Sequence, residues 1–132
     1  MMDRAMRVVA FIGPSNSGKT RLICALIRHF VTAGQTVAAI KHTHHPLNED
    51  RKGDTAAFED AGASPVILAG DGEAVISATR RITFSVPSDL LAHTPADVVL
   101  VEGFKTYDGW PRLNATNVSF EEAVLFVMDR IP

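Results

Sequence analysis

The chain has 132 residues and a mass of 14.3 kDa, enough to bury one core and too short for two domains. Its 46% hydrophobic and 21% charged content is that of a globular domain, and a net charge of −2 carries no electrostatic footprint for nucleic acid. The lone cysteine, Cys24, excludes an internal disulfide and fits a reducing cytoplasm, and no apolar run approaches the ~20 residues of a membrane span, so neither signal peptide nor anchor is expected.

The apolar run 7–12 predicts a strand, and the residues after it, Gly13-Pro14-Ser15-Asn16-Ser17-Gly18-Lys19-Thr20, match G-x-x-x-x-G-K-[ST] in full. An amphipathic helical stretch follows, so the motif stands in the strand, loop, helix context of a phosphate-binding loop. Side chains at Gly13 and Gly18 would obstruct the close approach of a polyphosphate, whereas successive backbone N–H groups and the helix N-terminus face its oxygens. Lys19 supplies a mobile point charge, and the Thr20 hydroxyl takes one position on a magnesium ion. The ligand predicted for residues 13–20 is a magnesium nucleoside triphosphate.

The first helix is expected over 18–32, with Leu22, Ile23, Leu26, Ile27 and Phe30 on one face and Ala33-Gly34 ending it. A strand over 36–40 follows, then a polar loop over 42–53. Asp54 reads as the N-cap of a short helix over 55–61 closed by Gly62. Apolar runs at 66–69 and 74–79 around Gly70-Asp71-Gly72 predict a hairpin, which makes the sheet mixed. A short helix at 87–93, a buried strand at 97–102 and a last strand at 123–128 complete the chain. The expected fold class is α/β and P-loop NTPase-like, a mostly parallel mixed sheet flanked by helices, forming one nucleotide-binding domain over 1–132.

In open α/β sheets ligands bind beyond the carboxyl ends of the strands, and this order puts Gly13, Lys41-His42, Glu102-Gly103 and Asp129 there. Asp97 begins its strand, about 16 Å from Glu102 at ~3.3 Å per residue, so the two acids cannot share one ion. Glu102 is therefore the acid expected to hold a metal-bound water, or to polarise the attacking one, beside the loop.

The segments G-P-S-N-S-G-K-T at 13–20, K-H-T-H-H at 41–45, G-D-T at 53–55 with A-G-A at 61–63, and V-E-G-F-K at 101–105 together resemble the molybdopterin-guanine dinucleotide biosynthesis protein B (MobB) family. The resemblance covers most of the chain, and its pairing of K-H-T-H-H with V-E-G-F-K is far more specific than the loop alone. It implies a small GTP-binding protein with weak hydrolysis, homodimeric, assisting the guanylyltransferase-type enzyme that attaches GMP to molybdopterin. On matching positions it implies catalytic roles for Lys19, Glu102 and Asp54, magnesium at Thr20 and Glu102, and Asp129 accepting from the N1 and N2 donors of guanine. Residues 106–122 form a shorter segment than the family's.

The histidines His42, His44 and His45 offer metal ligands in principle, but no cysteine or further histidine pair stands near them in sequence. With Lys41 they are read as contacts to phosphate or to the pterin. Trp110 is read as core or interface packing, with stacking on a pterin as the alternative. A small-molecule kinase is the competing function, but it needs a lid of arginines over the phosphates, and the only adjacent arginines are Arg80-Arg81 in a strand connection.

Overall fold

A computed structural model describes residues 6–14, 17–48 and 53–129. Its seven-stranded sheet consists of β1 (Arg7–Ile12), β2 (Val37–His42), β3 (Val66–Ala69), β4 (Glu73–Ile76), β5 (Arg80–Thr83), β6 (Val98–Glu102) and β7 (Arg112–Asn114), in the order β5-β4-β3-β2-β6-β1-β7. Neighbours from β3 through β7 run parallel, and the hairpin strands β4 and β5 are antiparallel, so the sheet is mixed as expected. The helices are α1 (Lys19–Thr32), α2 (Asp54–Ala61) and α3 (Phe120–Met128).

Strand alternation divides the core into two layers. Val9, Phe11, Val37, Ala39, Val98 and Leu100 point to the face covered by α1, α2 and α3, where Ile23, Ile27, Phe58 and Val127 meet them. Ala10, Ala38, Ile40, Val99 and Val101 point to the other face, covered by Leu90 of a 3₁₀ segment, Pro87–His93, and by Phe104 and Trp110. Both faces of the central strands are buried, which is why they read as continuous apolar runs. Cys24 lies buried on α1, as expected, and burial pushes its thiol pKa up.

One expectation is overturned. Residues 123–128, read as a last strand, lie in α3. Ser119 caps this helix with a reciprocal capping box: its hydroxyl accepts from the Glu122 N–H, and the Glu122 carboxylate accepts from the Ser119 N–H. Ala123 and Val127, four residues apart, are the buried positions, a helical period. The sheet's remaining edge is instead the short β7, beside β1.

Register fixes what lies at the ligand edge. Phe11 pairs with Glu102 across β1 and β6, and Lys41 pairs with Glu102 across β2 and β6. The ends of three adjacent strands are thus level, and Gly13, His42 and Gly103 emerge together.

Candidate functional site

Beyond β1 the chain turns at Gly13, with φ +145°, where an added Cβ would lie 3.1 Å from Ser17 Oγ. A bare backbone is what this turn requires. Lys19 curls back over the loop, its Nζ donating to the carbonyls of Gly13 at 2.6 Å and Pro14 at 2.9 Å. Ser17 Oγ is buried with no hydrogen-bond partner among the described residues, which costs about 1–3 kcal/mol unless a ligand or water satisfies it. Gly13, Pro14, Ser17, Gly18, Lys19 and Thr20 all line a cavity of about 770 Å³, within the range of small-molecule sites. Ser15 and Asn16 lie outside the described residues.

Thr20, one residue into α1, donates through Oγ1 to Glu102 Oε1 at 2.9 Å. The other oxygen, Oε2, accepts from Lys41 Nζ at 2.6 Å, and the same ammonium donates to Asp54 Oδ2 at 2.6 Å. Four elements, α1, β6, β2 and α2, therefore meet in one chain of polar contacts beside the loop. The side chains of Lys41, Asp54 and Glu102 are only 16%, 9% and 8% exposed. Burial pulls the Lys41 pKa down, but the hydrogen bonds and charges of Asp54 and Glu102 outweigh it and hold the ammonium above the usual lysine value. Asp54 opens α2, rather than capping it; Gly53, in the left-handed region, holds the N-cap position.

Gly103, at φ +103°, carries the chain past β2 so closely that a Cβ would lie 2.9 Å from His42 Cβ. The His42 ring stacks on Phe104, with centroids 4.2 Å apart and an interplanar angle of 8°. Burial lowers the His42 pKa below the ordinary histidine value, against the opposing contact with Asp71. His44 and His45 are exposed and also line the cavity.

A protein-family model described as molybdopterin guanine dinucleotide synthesis protein B matches residues 8–130. The chain belongs to the MobB family. It is 36% identical over 107 residues to a molybdopterin-guanine dinucleotide biosynthesis adapter protein of Haemophilus influenzae, covering 79% of this chain and 60% of that protein. A putative adapter protein of Methanocaldococcus jannaschii is also 36% identical, over 114 residues, covering 86% of this chain and 46% of that one. An Escherichia coli adapter protein is 32% identical over 103 residues, covering 74% and 59%. The chain thus spans roughly half to three-fifths of these relatives. The crystal structure of Bacillus subtilis MobB matches with a TM-score of 0.50 at 21% identity, covering 96% of this chain and 98% of that one, which places both in the same P-loop NTPase-like fold.

The residues at this cavity fit a magnesium nucleotide on two counts. Among the described residues Ser17 Oγ lacks a partner, and the Thr20 hydroxyl with the Glu102 carboxylate offers oxygen donors suited to a hard cation. Of the predicted site residues, the described part of the loop, Lys41, Asp54, Glu102 and the three histidines converge on one cavity. Asp129 does not join them. It follows α3, whose Met128 carbonyl accepts from Arg7 Nε at 3.2 Å, at the start of β1 and hence the opposite end of the sheet from Gly13. A helix running back along β1, in place of a strand ending at the site, is the reason. Asp97 is also remote: its carboxylate accepts from the Thr36 N–H at 2.9 Å, before β2. Trp110 is buried, edge-on to Phe104 and Tyr107, in the packing role. Two contacts at the rim, on the other side of the sheet from Glu102, were not foreseen in the sequence: the Phe104 platform under His42 and the approach of Asp71 to His42.

Proposed function

We propose that the chain binds magnesium GTP on residues 13–20, hydrolyses it slowly, and acts as an adapter in molybdopterin-guanine dinucleotide biosynthesis for a guanylyltransferase-type enzyme. The observation that carries this reading is the contact chain Thr20, Glu102, Lys41, Asp54 closing on the phosphate-binding loop. Backbone N–H groups of the loop and the Lys19 ammonium bind the phosphates, and Thr20 and Glu102 hold the ion. Magnesium, when bound, supplies charge neutralisation at the phosphate oxygens. Glu102 orients the attacking water, and Asp54 holds Lys41 so that its ammonium faces the cavity. Lys41, His42, His44 and His45 contact the phosphate or molybdopterin. The names of the relatives support the adapter role, the family resemblance supports guanine as the base and a homodimer, and the lone cysteine Cys24 supports a cytoplasmic setting.

The kinase alternative is disfavoured because Arg80 and Arg81 lie in β5, at the far edge of the sheet from β1 and its loop. Calorimetric titration of parent and Lys19→Ala with magnesium GTP and magnesium ATP tests the proposal. Saturable binding by the parent, tighter for GTP and lost in a folded Lys19→Ala, is expected. Unchanged affinity in that variant overturns the nucleotide reading.

A further inference from the structure

We propose that His42, His44 and Asp71 form a binding site for a divalent transition-metal ion, separate from the magnesium position, at the rim of the cavity. One ligand atom from each of the three residues lies within 4.8 Å of the others. One pair, His42 Nε2 and Asp71 Oδ1, is 3.1 Å apart, and the rings of His42 and His44 lie 4.8 Å apart at 70°. Donors around a tetrahedral zinc ion with bonds near 2.0–2.1 Å are about 3.3 Å apart, so one pair already has the right spacing. The other two separations close by rotation of His44 and Asp71, both on exposed loops where side chains turn freely.

The anchor of this set is built rather than incidental. His42 ends β2, its ring lies flat on Phe104, and its side chain is only 13% exposed, so the imidazole is aimed before any ion arrives. Phe104 is itself held at φ +53° directly after Gly103. Asp71 is placed by the sheet: His42 pairs with Ala69 across β2 and β3, and the Gly70–Gly72 turn then carries Asp71 over the end of β2.

Two imidazoles and one carboxylate make a borderline donor set, which favours zinc, cobalt, nickel or copper over magnesium. Three protein ligands leave coordination positions open. Because His42 and His44 also line the cavity, those positions are accessible to water or to an anionic group of the cavity's occupant. The two metal positions are distinct because successive strand residues face opposite sides. Lys41 meets Asp54 and Glu102 on the helix face, whereas His42 meets Phe104 on the other.

The test uses the untagged full chain titrated with zinc chloride in excess magnesium, followed by cobalt substitution read in the visible spectrum. We expect one zinc ion per chain and cobalt absorption bands of a four- or five-coordinate site, with zinc affinity reduced at least about tenfold in both His44→Ala and Asp71→Asn. Asp71→Asn should bind magnesium nucleotide as the parent does, which separates this site from the nucleotide site. His42→Ala disturbs the Phe104 stack, so the two loop variants carry the test. Absence of saturable zinc binding overturns the proposal, as does binding that survives both loop variants, or binding abolished by Glu102→Gln and not by Asp71→Asn. In each of those outcomes the His42 to Asp71 contact is an orienting hydrogen bond only.

Discussion

Replacing Lys41 with methionine keeps most of the length of the side chain and removes the ammonium that Asp54 and Glu102 share. Two carboxylate oxygens touching one nitrogen at 2.6 Å each lie no more than about 5 Å apart. Without the ammonium they repel by about 3 kcal/mol at an effective dielectric near 20, and breaking a buried ion pair generally costs about 3–5 kcal/mol. That is a large share of the roughly 5–15 kcal/mol that holds a domain together. Urea unfolding followed by Trp110 emission, at several pH values, measures the loss.

The pH dependence distinguishes charge from packing. In Lys41→Met the two carboxylates face each other without the ammonium, so the deficit relative to the parent carries the repulsion of two like charges and shrinks in acid, where protonation removes it. In the parent the raised pKa belongs to Lys41, whose contribution is complete below about 10.5 and disappears as pH climbs through the higher folded value. Magnesium should also stabilise the variant more than the parent, since the ion supplies the missing charge between the same oxygens. A deficit below about 1 kcal/mol at pH 7, or one no smaller in acid than at pH 7, would refute the reasoning.

Lys19→Ala is expected to unfold at the parent's urea midpoint while losing tight magnesium nucleotide binding, because its ammonium donates to the loop carbonyls of Gly13 and Pro14. Glu102→Gln should slow single-turnover GTP hydrolysis more than it raises the dissociation constant; equal losses would make Glu102 a binding group only. Gly103→Ala, placed at φ +103° with its methyl 2.9 Å from His42 Cβ, should cost about 1–3 kcal/mol in urea unfolding and shift the emission of nearby Trp110. A variant as stable as the parent would show that the strand ends can move apart.

Most of the helix side of the sheet was readable because its signals are local. The loop motif fixes where β1 stops and α1 starts, the spacing from Leu22 to Phe30 gives the helix its apolar face, and Gly70-Asp71-Gly72 marks the hairpin. Residues 123–128 misled because a short apolar run has no decisive period; Ser119 and Glu122, three apart just before it, were the signal for a helix. That one error also displaced Asp129, whose assignment to the ligand edge assumed a strand pointing there. The edge strands β5 and β7, four and three residues long, carry no clear alternation. Strand order puts Lys41 and Glu102 near the same edge and the family resemblance adds Asp54, but their joining through one ammonium depends on the register of β2 against β6. Asp71 lay further out of reach, since 29 residues and a turn separate it from His42.

The end of β2 explains why one small edge can carry two kinds of chemistry. Lys41 and His42 are adjacent in sequence, so strand geometry sends their side chains through opposite faces of the sheet. On the helix face Lys41 meets carboxylates on α2 and β6, the second of which also accepts from the Thr20 hydroxyl on α1, oxygen groups suited to phosphate-bound magnesium. On the other face the partners are an aromatic ring and the β3–β4 turn, which fix an imidazole beside an exposed carboxylate. Gly103 couples the two sides: its missing side chain lets the chain leaving β6 pass close to His42, between Glu102 next to Lys41 and Phe104 under His42. A shift of this junction would therefore disturb both groups at once, which makes Gly103→Ala the substitution that best tests whether they are mechanically linked.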